Sequence, residues 1–178
     1  MLLKDIRNPE KYLLQIFAAA TLVDTAGIFI WKRLSPHSPI NKWYSQLELT
    51  AYSADILSLM IALVLAQFIT HLIGGSWNPV FFLMVAVGIQ MFHDLFFSKI
   101  ILPNLPTGKN TVVDIMKEYV NIPLSAGILL VDMSYVVLAS LLAMWLAGKS
   151  SSYSVLLLVV WLYVGMFVLY DRPGTKLL

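Results

Sequence analysis

Five stretches of this chain are each long and apolar enough to cross a bilayer as a helix, and that constrains the fold more than any other feature. A hydrocarbon core takes about 20 mostly apolar residues per helix. The stretches run over residues 12–33, 47–73, 80–102, 123–147 and 152–170. Only 12% of residues are charged and 59% are hydrophobic, against about 25% charged in an ordinary soluble domain. That shortage of polar surface excludes a soluble enzyme and a disordered chain. A net charge of +2 offers no phosphate-binding surface, so no nucleic-acid partner is expected. The absence of cysteine removes disulfides, thiolate nucleophiles and zinc–thiolate sites.

The sequence therefore predicts an all-α, polytopic integral membrane protein: a bundle of five transmembrane helices forming one domain over residues 1–178. Asn8-Pro9-Glu10 opens the first span with a cap and a proline suited to the first turn. That span is not read as a signal peptide, because Asp24 interrupts it and no small-residue cleavage site follows. Gly74-Gly75-Ser76-Trp77-Asn78-Pro79 reads as a tight turn. Pro103 and Pro106 are expected to stop the third span, and Pro123 lies at the start of the fourth. Between them, residues 110–121 are expected to form a short interfacial amphipathic helix. Thr111 would cap it with Asp114, and Val112, Val113, Met116, Tyr119 and Val120 would share its apolar face.

Lys4, Arg7, Lys11 and Lys149 fall on one side of the membrane. Lys32, Arg33, Lys42, Lys99, Lys109, Lys117, Arg172 and Lys176 fall on the other. The positive-inside bias then places the N-terminus outside and the C-terminus in the cytoplasm. Trp31, Trp43, Tyr44, Trp77, Tyr119, Trp145, Tyr153 and Tyr170 lie near span ends, as an aromatic belt would.

An ionisable residue near the centre of a span costs about 2.5–3.5 kcal/mol on insertion scales. Each of the first four spans carries an aspartate: Asp24, Asp55, Asp94 and Asp132. At about 1.5 Å rise per residue, Asp24 lies about 2 Å from its span's middle, Asp94 and Asp132 about 4–5 Å, and Asp55 about 8 Å. Because neighbouring spans are antiparallel, all four displacements point to the same membrane side. Gln90 and His93 share a face with Asp94, and Glu48 lies on the stripe of Asp55, Ala62 and Ala66.

The leading expectation from this set is a protein that binds or conducts a cation, most simply a proton, through Asp24, Asp55, Gln90, His93, Asp94 and Asp132. Glu48 and Asp55 would form the entrance, and the helix at 110–121 a cover. The alternative is a structural component of a membrane assembly, with buried aspartates serving helix packing. A third reading is an intramembrane metal-dependent enzyme. With one histidine at this depth and no Glu-x-x-His pairs, an enzyme is not favoured, and no catalytic residues are assigned. No cofactor is predicted. A bound cation and its ligands are left open, and the partners expected are the lipid bilayer and either further copies of the chain or other membrane proteins. Thr107-Gly108-Lys109-Asn110-Thr111 lacks the earlier glycine of a P-loop, and Asn78-Pro79-Val80 lacks the second copy of a water-channel motif.

Several short motifs, taken together, carry a likeness: Asn41-Lys42-Trp43-Tyr44, Ala54-Asp55, Ala66-Gln67 and Gln90 with His93-Asp94. It continues through Pro106-Thr107-Gly108-Lys109-Asn110, Val113-Asp114, Lys117-Glu118-Tyr119 and Asp132. Over most of spans two to four the chain resembles an uncharacterised family of small multipass membrane proteins of large DNA viruses infecting algae and protists. The resemblance implies a viral source and a place in the virion's internal membrane or a host membrane. It implies no activity.

Overall fold

The first long helix, Pro9–Leu34 (α1), is the one around which the others are arranged. Asn8 accepts the Lys11 amide through its side chain at 3.1 Å, and Pro9 sits in the first turn, where its missing N–H costs no intrahelical bond. The computed structural model describes residues 3–34, 39–120 and 125–171. After α1 come α2 (Pro39–Leu47), α3 (Leu49–Ile73), α4 (Pro79–Phe96), a π-helical turn over Phe97–Ile101, and the single turn α5 (Leu102–Asn104). Then follow α6 (Thr111–Val120), α7 (Ser125–Leu146) and α8 (Ser151–Tyr170). Five spans are long and apolar enough to cross a membrane: α1, α3, the continuous run Pro79–Asn104, α7 and α8. The protein is an all-helical, polytopic membrane protein, with the short non-spanning helix α6 between its third and fourth spans.

Helix α1 packs most extensively on α8, then on α7 and α3, while α3 packs on α4 and α4 on α7. Its spanning window is 61% buried, against 17% for the third span, which sets α1 at the centre and α4 at the edge. Lipid tails are as apolar as leucine, so helices in a bilayer associate by close packing and hydrogen bonds rather than by a hydrophobic drive. The sequence of α1 suits that requirement. Ala18, Ala19, Ala20 and Gly27 allow neighbouring backbones to approach, and all are buried. The Tyr135 ring of α7 lies directly against Gly27, and the Tyr52 hydroxyl of α3 lies against Gly165 of α8. On α3, Ala62 and Ala66 are buried, as the small-residue stripe predicts. The large apolar side chains left exposed, such as Met84 and Phe92 on α4 and Leu156, Val159 and Phe167 on α8, lie on outer faces suited to lipid.

One end of the bundle is stapled by the N-terminal segment. Arg7 pairs with Asp5 at 2.7 Å, donates to the Gly75 carbonyl at 3.0 Å and lies over the Trp77 ring. Trp77 in turn donates to the Leu3 carbonyl at 3.2 Å. The Asp5 carboxyl is held below the usual carboxylate range, chiefly by its hydrogen bond from Arg7.

Two sequence expectations are corrected here. The third span does not stop at residue 102 but runs through Pro103 to Asn104. A proline inside a helix clashes with the carbonyl four residues back, and the wider π turn immediately before Pro103 accommodates it, with the Leu102 amide reaching the Phe97 carbonyl. The cap of α6 is Asn110, whose side chain accepts the Val112 amide at 2.9 Å, rather than Thr111. Asp114 instead accepts the Gly108 amide at 2.9 Å, closing the preceding turn. The first connection contains α2. Arg172 and Lys176 from the orientation count, Pro123, the expected end of the interfacial helix at Asn121 and the side chain of Tyr119 lie outside the described residues.

The glycine contacts give a direct test. Gly27→Ala and Gly165→Ala should each destabilise the protein by about 1–3 kcal/mol, the usual cost of forcing extra volume into a packed site. Gly88→Ala, where a methyl group meets no other atom within 4 Å, should be neutral or gain up to about 1 kcal/mol from helix propensity. Reversible unfolding in mixed micelles measures all three. Equal losses at Gly88 and Gly27 would contradict the packing described.

Candidate functional site

Helix α2 has nine residues, begins at Pro39 and places Trp43, Tyr44 and Leu47 along one side at helical spacing. The chain reverses from α2 into α3 at Glu48, which takes a positive φ of 47°. This folds α2 back over α3 and drives its two aromatic side chains inward, leaving Trp43 8% and Tyr44 6% exposed. Their polar ends meet the carboxyl of Asp55 on α3. Trp43 Nε1 donates to Asp55 Oδ2 at 3.0 Å, and the Tyr44 hydroxyl donates to the same oxygen at 2.6 Å. Tyr44 also lies 3.5 Å from Asp24 Oδ1 on α1. A phenol has a single proton to donate, and the short bond to Asp55 takes it, so the contact with Asp24 is secondary.

On α4, Gln90 is buried and donates to Asp94 Oδ1 at 2.8 Å, one turn along the same face. His93 Nδ1 lies 3.0 Å from the same oxygen. The His93 side chain is 54% exposed and its ring stacks on that of Phe97. It therefore sits at the rim of the site rather than at its centre.

Asp24, Asp55, Asp94 and Asp132 all line one cavity of about 450 Å³ between α1, α3, α4 and α7. Gln90 and His93 also reach it, and Met116 and Val120 of α6 contribute to its wall. The depth argument placed these four aspartates toward one membrane side, and the structure shows them lining one cavity. Glu48 is not part of it. It lies exposed at the α2–α3 turn, where the Tyr170 hydroxyl approaches its carboxylate at 3.4 Å.

Basic groups are bonded separately. Lys32, only 6% exposed, donates to the carbonyls of Val168 and Asp171 at 3.0 Å each and to that of Leu169. These lie at the C-terminal end of α8, where helix carbonyls lack intrahelical partners and a cation complements the dipole. Arg33 pairs with Asp171 at 3.2 Å, and Lys42 of α2 pairs with Glu118 of α6.

This geometry corrects the leading expectation. Among the described residues, no group of three or more His, Asp or Glu side chains is placed to hold a metal ion. Asp24, Asp55, Asp94 and Asp132 share a cavity but do not converge on a point. Asp55 is held by Trp43 and Tyr44, and Asp94 by its own helix. With His93 at the rim and Glu48 outside, the cation-binding and cation-conducting reading is overturned, and the metal-enzyme reading with it. What remains is a set of isolated hydrogen bonds and ion pairs of the kind that pack helices.

Sequence reasoning missed Trp43 and Tyr44 by reading them as interfacial anchors, along with Trp31, which lines the cavity. It also missed Lys32. The available signal was the spacing of Trp43, Tyr44 and Leu47 after Pro39, a short amphipathic turn of helix inside what looked like a loop.

Tyr44→Phe should therefore destabilise the protein by about 1–3 kcal/mol, since it leaves a buried acceptor short of its donor. Asp55→Asn keeps an acceptor for both Trp43 and Tyr44 and should cost less than Asp55→Ala. A double-mutant cycle between positions 44 and 55, read by unfolding in micelles, should show coupling. Additive losses would contradict the joint. Comparison with protein-family models, with curated proteins and with solved structures gives no match.

Proposed function

We propose that this chain is a structural component of a membrane assembly, and that its buried polar groups act as fasteners between helices. The observation that supports this reading is the one-by-one pairing of those groups across helix junctions. Trp43 and Tyr44 tie α2 to Asp55 on α3, Lys32 ties α1 to the end of α8, and Thr25 of α1 meets the Tyr52 hydroxyl of α3 at 2.7 Å, while on the exposed surface Lys42 of α2 pairs with Glu118 of α6. In a bilayer each such bond contributes about 0.6 kcal/mol on average and up to about 1.7. Distributed over several junctions, that serves rigidity better than it serves chemistry.

The viral resemblance carried by the motifs of spans two to four makes the internal membrane of a virion the proposed location. The charge bias supports an N-terminus outside and a C-terminus in the cytoplasm. The exposed apolar faces of α4 and α8 are the surfaces proposed for lipid, for further copies of the chain or for other membrane proteins.

A structural component should be abundant in the particles or membranes it builds, at a fixed ratio to the other major membrane proteins. Asp94→Asn should be incorporated at the wild-type level, because asparagine still accepts the Gln90 bond. Tyr44→Phe should lower incorporation in step with its loss of stability. Quantitative mass spectrometry of purified particles reads all three. Trace abundance, together with loss of biological activity in a fully incorporated Asp94→Asn protein, would sink the proposal.

A further inference from the structure

The cavity between α1, α3, α4 and α7 has features that helix packing does not use. Asp24 is 1% exposed and lines the cavity, yet its Oδ2 has no hydrogen-bond partner within the protein. Asp94 Oδ2, on another wall, is in the same condition. Buried carboxyl oxygens without donors are rare in folded proteins. Trp43 and Tyr44 direct their protons to Asp55, and Gln90 directs its amide to Asp94 Oδ1.

A metal ion cannot complete this arrangement, because ion coordination requires oxygens converging to about 2.0–2.6 Å of one centre, and no such group exists among the described residues. A molecule with several hydroxyl groups can reach oxygens that a single ion cannot, because its donors are themselves spread over several ångströms. The unpartnered carboxyl oxygens call for hydrogen-bond donors, which the oxygens of an anionic head group do not supply. The rim of the cavity includes Leu57, Ile61 and Leu95, which are large, apolar and exposed, so the opening faces where acyl chains lie. A volume of about 450 Å³ falls within the range of small-molecule sites, about 300–1,000 Å³.

We infer that this cavity binds the head group of an uncharged lipid bearing several hydroxyls, of the glycerol or sugar kind. The hydroxyls donate to Asp24 and Asp94, and the acyl chain leaves past Leu57, Ile61 and Leu95. This site is independent of the structural role proposed above: a packing protein can hold a lipid, and the role does not require one.

The test uses the full chain in phosphatidylcholine nanodiscs, titrated with 1-monooleoylglycerol, methyl oleate or oleylamine, and read by thermal unfolding and by native mass spectrometry. Monooleoylglycerol should bind saturably as a single adduct and raise Tm, and methyl oleate, which lacks donors, should not. Asp24→Leu, which removes both acceptor oxygens, should weaken monooleoylglycerol binding at least tenfold. Ala54→Leu, which adds bulk inside the cavity and leaves every carboxyl in place, should do the same, and it keeps the test valid should Asp24→Leu fail to fold. Equal binding of methyl oleate, saturable binding of oleylamine alone, or monooleoylglycerol binding unaffected by Ala54→Leu would each overturn the inference.

Discussion

The bonds from Trp43 and Tyr44 to Asp55 hold α2 against α3, and α6 lies beside α2 in turn. A carboxyl at the centre of a span costs about 2.5–3.5 kcal/mol, and less toward the edge where Asp55 lies. Two side-chain bonds of about 0.6–1.7 kcal/mol each are of the size needed to offset that remaining cost. The offset exists only while α2 is folded back on α3, so the acid and the short helix hold one another in place. From there the consequences spread outward. The reversal at Glu48 follows, Lys42 is delivered to Glu118, and α6 comes to lie beside α2 with Met116 and Val120 against the cavity.

Helix α1 answers the same constraint in a different way. It carries Gln15, Thr21, Asp24, Thr25 and Lys32 in buried positions, an unusual polar content for a central span. Thr25 is served by its own helix through the Thr21 carbonyl at 2.7 Å and by Tyr52, while Lys32 uses carbonyls at the end of α8. The small residues of α1 make this workable, because they bring its neighbours close enough for side chains of ordinary length to reach.

Much of this was legible in the sequence, for physical reasons that differ from element to element. The five spans could be placed to within a few residues because a bilayer imposes a length that few soluble helices match. That the four aspartates lie toward one side of the membrane followed from depth, since antiparallel spans of known rise displace Asp24, Asp55, Asp94 and Asp132 in the same direction, and the structure adds that they line one cavity. Their bonding did not follow. The donors for Asp55 come from a nine-residue helix whose periodicity is too short to stand out, and Trp43 and Tyr44 occupy positions where interfacial anchors are equally expected. The passage of the third span through Pro103 was hidden for a related reason: a proline reads as a stop, and only the backbone reveals the wide turn that relieves it. Lys32 was counted as a loop charge because nothing local says that it reaches a helix 136 residues away.

Four intramembrane acids at one depth invite a reading in terms of ion movement, and the distinction between sharing a cavity and sharing a point decides against it. Carboxyls that share a cavity can be fastened separately, as Asp55 and Asp94 are, whereas carboxyls that share a point must hold a cation or a proton between them. The central claim is that the buried polar groups of this chain fasten helices, Asp55 among the acids, and that the acids move no ions. Its most direct test is flux: the purified chain reconstituted in liposomes, with proton and alkali-cation gradients imposed, wild type beside Asp94→Asn. The account predicts that both behave as protein-free vesicles do. Gradient-driven flux in the wild type that disappears in a folded Asp94→Asn protein would contradict it.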